Sequence, residues 1–94
     1  MKVAKVNDSS ATAVTGRCKY WGILVGTDGT NDPTISVYDN TSAAGTELVP
    51  TCEFDASAKG YNGVMLNQGV DCSNGIHVAI TLAAGNVEII VYYD

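Results

Sequence analysis

The sequence predicts an all-β domain, a small antiparallel β-sandwich or barrel with an extended N-terminal arm. Three observations carry this. Apolar residues alternate with a period of two along most of the chain, and no helix-length window carries a convincing 3.6-residue period. The ten glycines fall mostly between apolar runs, where turns are needed. At 94 residues the chain fits one domain with a thin core, so subunit contacts would be a natural way to bury more surface. The chain divides into residues 1–16, an N-terminal arm or edge strand, and residues 17–94, the sandwich domain.

The elements follow in order. Residues 3–6 and 11–14 each read as a strand, or the whole stretch reads as an extended arm. Residues 17–25 read as a long strand, 26–33 as a loop, and 34–39 as the partner strand of a hairpin. Residues 40–46 form a second turn region. Residues 47–54 hold a further strand, placed at a sheet edge because Pro50 lacks a backbone donor. Residues 54–59 are the best candidate for a single helical turn. Residues 63–67 and 70–72 read as short strands, and Asn74-Gly75 is a strong turn signal.

The last two strands read as a hairpin around residues 83–86. Leu82 would pair with Val87, Ile80 with Ile89 and Val78 with Val91, giving an aliphatic wall. The other face would carry Thr81 opposite Glu88, Ala79 opposite Ile90 and His77 opposite Tyr92. That face is half apolar, so a loop or a neighbouring subunit is expected to cover it.

Composition excludes several functions. Net charge is −5, which disfavours a nucleic-acid backbone as partner. No stretch is long and apolar enough to span a membrane as a helix. No signal-type apolar run follows Lys2, so a cytosolic origin is expected. The three cysteines, Cys18, Cys52 and Cys72, lack CxxC spacing and read as small buried hydrophobes in a reducing compartment. His77 is the only histidine, too few ligands for a metal centre. No cofactor is expected.

No catalytic constellation is readable. His77 has no evident nucleophile or orienting acid, and Asp39, Asp55 and Asp71 flank turns, where Asp is common. Asp28, Asn31 and Asp32 in the 26–33 loop offer oxygen ligands for calcium, but the alternating pattern and distal Glu are missing, and a plain turn explains them. Tyr20, Trp21 and Tyr38 would cluster if their strands form a hairpin. Such a cluster is more often core or interface than a sugar platform. Asn40-Thr41-Ser42 is a glycosylation sequon that matters only on secretion.

Charge is unevenly placed. Lys2, Lys5, Arg17 and Lys19 lie in the first twenty residues, whereas nine of the ten acids lie beyond them. A basic arm before an acidic body is either chance placement on a solvated segment or a docking element for an acidic neighbour. On the docking reading, these four cations are the candidate partner-docking residues. Trp21, Tyr38, His77, Ile90 and Tyr92 are the candidate interface.

A further pattern runs from Tyr20 to Tyr93. Ile23-Leu24-Val25-Gly26-Thr27-Asp28-Gly29 leads to Tyr38-Asp39-Asn40-Thr41, then Ala44-Gly45-Thr46, Asn74-Gly75-Ile76 and a closing Val91-Tyr92-Tyr93. This run resembles small structural proteins of tailed bacteriophages. The resemblance implies a non-enzymatic virion protein, a capsid decoration or cement protein on the shell exterior. Its partner would be the major capsid protein, with assembly in host cytoplasm and a homo-oligomer, trimer favoured. A tail, head–tail or fibre-associated component, or a carbohydrate-binding module, are the alternatives. On this reading, removing residues 1–14 should leave the body folded but weaken attachment.

Overall fold

A computed structural model describes residues 1–56 and 61–94. The described residues form eight strands: β1 (Lys2–Asn7), β2 (Ala11–Thr15), β3 (Cys18–Thr27), β4 (Thr34–Tyr38), β5 (Glu47–Glu53), β6 (Tyr61–Cys72), β7 (Gly75–Thr81) and β8 (Val87–Tyr93). They form two four-stranded antiparallel sheets, ordered β1-β8-β3-β6 (sheet A) and β2-β7-β4-β5 (sheet B). The chain is an all-β sandwich. Only β4 and β5 are consecutive strands paired in one sheet; every other connection crosses to the opposite sheet. This strand order is the double Greek key of a jelly roll.

The core lies between the sheets and follows from register. Directly paired residues share a face. In sheet A, Val6, Ile89 and Val25 form one inward row, and Ala4, Val91 and Ile23 the next. In sheet B, Val78, Val37 and Val49 form an inward row, as do Ile80, Ile35 and Cys52. Nearly all of these side chains are β-branched, which suits a pleated surface.

Several expected pairings are corrected. β7 and β8 do not form a hairpin. β7 lies between β2 and β4 in sheet B, and β8 between β1 and β3 in sheet A. None of the six cross-strand pairs expected between them exists; Ile80 is opposite Ile35, and His77 is opposite Tyr38. Likewise β3 and β4 lie in different sheets, so Tyr20, Trp21 and Tyr38 share no hairpin. Both connections are arches, held by side chains rather than by a tight turn. Asp28, just after β3, accepts the backbone N–H of Asn86 (3.0 Å), and Asp8 accepts that of Val87 (2.9 Å).

Other elements stand as expected or are extended. β5, with Pro50, is one of the two outer strands of sheet B. The two short strands expected at 63–67 and 70–72 are one strand, β6, interrupted by a wide bulge. Tyr20 pairs with Val70 and Gly22 with Met65, so residues 66–69 lie opposite Trp21 alone. Half of the expected helical turn, residues 57–59, lies outside the described residues; residues 54–56 carry no helix. Of the two readings of residues 1–16, two strands is the one adopted: β1 is one outer strand of sheet A and β2 one outer strand of sheet B.

Candidate docking surface

The two outer faces of the sandwich differ in chemistry. On sheet A, register sets three outward rows: Asn7, Glu88, Gly26 and Tyr61; Lys5, Ile90, Leu24 and Gly63; Val3, Tyr92, Gly22 and Met65. On sheet B the outward positions are Thr12, His77, Tyr38 and Glu47, then Ala79 and Ser36, then Thr81, Thr34 and Glu53. Sheet A therefore presents an apolar outer face and sheet B a polar one.

Exposure sharpens the contrast. Among the described residues, the exposed large hydrophobics are Met1, Val3, Tyr61, Val64, Met65 and Val70, and all lie on or beside the outer strands β1 and β6 of sheet A. Tyr61 is 79% exposed, Val3 62% and Met65 52%. Of these, Val3, Tyr61 and Met65 belong to the outward rows, whereas Val64 and Val70 pair with the buried Ile23 and Tyr20 and are exposed because β6 is an edge strand. Folding leaves such side chains in water only at a cost in hydrophobic stabilisation.

Glycines shape this face. Gly22 and Gly26, four residues apart on β3, point outward with Leu24 between them, and Gly63 lies beside Leu24 on β6. Gly63 and Gly26, without side chains, each line a hollow on this face. The Gly63 hollow is a groove of about 530 Å³, lined also by Met1, Leu24, Tyr61, Val64, Met65 and Tyr92. A second hollow of about 570 Å³, lined by Gly26, Asp28, Tyr61 and Glu88, continues it past the Tyr61 ring. Gly22 (φ +150°) and Gly63 are also close-approach sites. A Cβ at Gly22 would meet the Val64 carbonyl oxygen, and one at Gly63 the Ile23 carbonyl oxygen.

The candidate interface residues divide between the two faces. Ile90 and Tyr92 lie on the apolar face. Trp21 stands at the bulge beside it, half-buried; its Nε1–H donates to the Asp94 carboxylate (2.9 Å), and its ring lies over Gly69 with Lys19. Tyr38 and His77 are neighbours on the opposite, polar face, where His77 Nδ1 is 3.0 Å from Thr12 Oγ1. Tyr20 is buried at 2% exposure, so no platform of Tyr20, Trp21 and Tyr38 forms.

The candidate cations do not gather into one basic element. Lys5 pairs with Glu88 (3.4 Å) and Lys19 with Asp71 (3.8 Å). Lys2 stands over the Tyr93 ring, 6.0 Å from its centroid, and Arg17 is exposed in the β2–β3 turn. The pairs are half-exposed and contribute about 0–1 kcal/mol each. Their consequence is electrostatic: each of these two lysines is matched by an acid of the same face.

Many of the acids serve as loop fasteners. Asp28 accepts from the backbone N–H of Thr30 (2.8 Å), Asn31 (2.9 Å) and Asn86 (3.0 Å), and from Asn31 Nδ2 (2.9 Å). Donors occupy both of its oxygens, which makes the loop a braced turn rather than a calcium cradle. Asp39 accepts from Ser73 and Asn74, and Asp32 from Ala56. Among the described residues no three metal-ligating side chains group together.

These bonds hold the Asp28 carboxyl well below the ordinary value of 3.8, chiefly those from Asn31, first its backbone and then its side chain, then those from Asn86 and Thr30. A lowered folded-state value contributes stability that is present above the ordinary aspartate value and lost as pH falls through the folded one. Thermal melts should therefore show a midpoint that falls on acidification below about pH 4. Asp28→Asn should lower the midpoint at neutral pH and flatten that acid limb. An acid limb identical in the variant would place the sensitivity elsewhere.

Compared with known protein families, curated proteins and solved structures, the chain matches none.

Sequence reasoning missed Val3, Leu24, Tyr61 and Met65 as members of the apolar face. A partial signal was present. Even spacing puts Gly22, Leu24 and Gly26 on one side of a strand, a flat apolar stripe. Which strands flank that stripe is a matter of sheet order, which spacing does not carry.

Proposed function

We propose that this chain is a non-enzymatic bacteriophage virion protein, a decoration or cement protein that binds the outside of the capsid shell through the outer face of sheet A. The observation that carries the reading is the one-sided chemistry of the sandwich. A module that coats a surface needs one apolar face to bury and one polar face for water. Sheet A offers Val3, Leu24, Tyr61, Met65, Ile90 and Tyr92 around a groove that Gly63 helps to line. Sheet B offers Thr12, Thr34, Glu47, Glu53, His77 and Thr81.

Three further points support it. The jelly-roll strand order is one that viral capsid domains use, an argument from fold analogy alone. The motifs that carry the resemblance to tailed-phage structural proteins include those on β3 and β8, the two central strands of sheet A. The negative net charge suits the outside of a shell rather than its DNA-facing side. The partner in this reading is the major capsid protein, with the chain arranged as a homo-oligomer, trimer favoured.

The test is sedimentation of the purified protein with phage heads that lack it. Saturable co-sedimentation at a fixed ratio is expected. Tyr61→Glu and Met65→Glu should each weaken binding about tenfold or more, because a charge would be buried against an apolar partner. Thr81→Glu, on the polar face, should bind as the parent does. Binding to tails rather than heads would transfer the reading to a tail or head–tail component. Loss of binding in Thr81→Glu but not in the sheet A variants would overturn the assignment of the face.

A further inference from the structure

Cys18 on β3 and Cys72 on β6 are direct partners in the antiparallel register of sheet A. Direct partners on antiparallel strands have Cα atoms about 4.5 or 5.5 Å apart, depending on whether they exchange backbone hydrogen bonds. Both spacings fall within the range that a disulfide spans. The two side chains share a face, since paired residues do. That face is inward: Cys72 is 1% exposed, and Cys18 packs against the same core cluster. The Cys72 thiol donates to the Val70 carbonyl oxygen of its own strand (3.6 Å). Cys52 lies on β5 in the other sheet, opposite Ile35, with Sγ 3.9 Å from the Ile35 carbonyl oxygen.

The pair occupies a mechanically meaningful place. Between the bulge at Trp21 and the end of β6, only Cys18, Lys19 and Tyr20 pair with Val70, Asp71 and Cys72. This short ladder is cut off from the longer β3–β6 ladder by residues 66–69. It anchors the outer strand that carries Tyr61 and Met65.

The geometry points to a covalent modification site: Cys18 and Cys72 close a cross-strand disulfide when the protein meets a small-molecule disulfide, fastening β6 to β3. The reaction is two thiol–disulfide exchanges. The Cys18 thiolate, on the more accessible of the two residues, attacks one sulfur of the oxidant RSSR and expels RS⁻. The Cys72 thiolate then attacks the Cys18 sulfur of the mixed disulfide and expels the second RS⁻. The two cysteine thiols lose two electrons to RSSR and their protons end on two RSH molecules. The inference stands on the register alone and is independent of the proposed virion role.

Burial sets the rate. It raises the thiol pKa of both residues, that of Cys72 to about 12, with the Asp39 charge adding to the effect. Thiolate is therefore scarce at neutral pH, and exchange in the folded protein is slow. Oxidation during refolding, before the core closes, is faster. Once formed, the bond is shielded from reductant by the same burial.

The experiment uses the full chain. It is incubated folded with oxidised glutathione, or refolded from denaturant in a glutathione redox buffer, and then trapped with N-ethylmaleimide under denaturing conditions. A monomer with one maleimide adduct in place of the three expected for the reduced chain is the predicted product, with Cys18 and Cys72 joined in peptic fragments. Refolding should give it in high yield and the folded incubation only slowly. The cross-linked form should melt several degrees higher. Cys52→Ser should still close the bond, and Cys72→Ala should not. Three adducts after oxidative refolding, a bridge to Cys52, intermolecular dimers alone, or a lowered melting midpoint would each overturn the proposal.

Discussion

A chain lacking residues 1–14 should fail to fold. The deletion removes β1 and nearly all of β2, one outer strand from each sheet. β1 pairs with β8 from Lys2 opposite Tyr93 to Asn7 opposite Glu88, and β2 pairs with β7 from Ala11 to Thr15. Val6 is buried at 4% exposure, and Ala4, Ala13 and Val14 pack on the same cluster. Fully burying one aliphatic side chain contributes roughly 1.5–3 kcal/mol, and a domain of this size is stable by only about 5–15 kcal/mol. The deletion also bares the edges of β8 and β7, two strands rich in Val and Ile, which invites edge-to-edge aggregation. Circular dichroism should show no cooperative thermal transition, and much of the protein should be insoluble. A truncated chain that melts cooperatively within a few degrees of the parent would restore the reading of this segment as a separable arm. This outcome differs from the one expected of an arm because the segment supplies ladder hydrogen bonds to both sheets.

Ile89→Ala is expected to cost about 2–5 kcal/mol, toward the upper end. Ile89 is fully buried at the centre of sheet A, between Val6 of β1 and Val25 of β3, both themselves buried. Three packed strands converge there, so the vacated volume has little freedom to collapse. Ile80→Ala should cost less, near the lower end of the same range. Ile80 faces the core opposite Ile35, but its position near the end of β7 leaves it only half-buried. Urea denaturation of the two variants measures the difference directly. Equal costs would mean that the cavity opposite Ile89 relaxes as readily as the half-open site at Ile80.

The candidate site was partly legible. Ile90 and Tyr92 were marked as interface because they fall on the non-core side of the last strand, and they do lie on the apolar face. His77 was joined to them only through the expected hairpin, and it lies on the opposite face of the sandwich. Tyr38 was joined to Tyr20 and Trp21 through a different expected hairpin, that of β3 with β4, and these strands lie in different sheets. Tyr61 and Met65 carried no signal of their own, because an apolar residue on a short strand reads as core unless the strand is known to be an outer one. The clustering of Lys2, Lys5, Arg17 and Lys19 along the chain likewise dissolves in space. The strand and turn that hold them point them at different neighbours, Lys5 at Glu88 and Lys19 at Asp71.

Fold class, most strand positions and the buried side of many strands are legible in the residue pattern alone. Alternation decides these, because a period of two sends successive side chains to opposite faces whatever the partner strand. Val78, Ile80, Ile89 and Val91 point into the core as alternation requires. Only the tertiary structure decided which strands lie side by side. A hairpin and an arch between two sheets bury the same alternate residues, since both sheets turn their inner faces to one core. Patterning therefore cannot separate them. What does separate them is the set of long-range pairings, β8 seated between β1 and β3 and β7 between β2 and β4, with Asp8 and Asp28 fastening the arches. The apolar outer face arises from the same choice, because it is the sheet order that sets Val3, Tyr92, Gly22 and Met65 in one row.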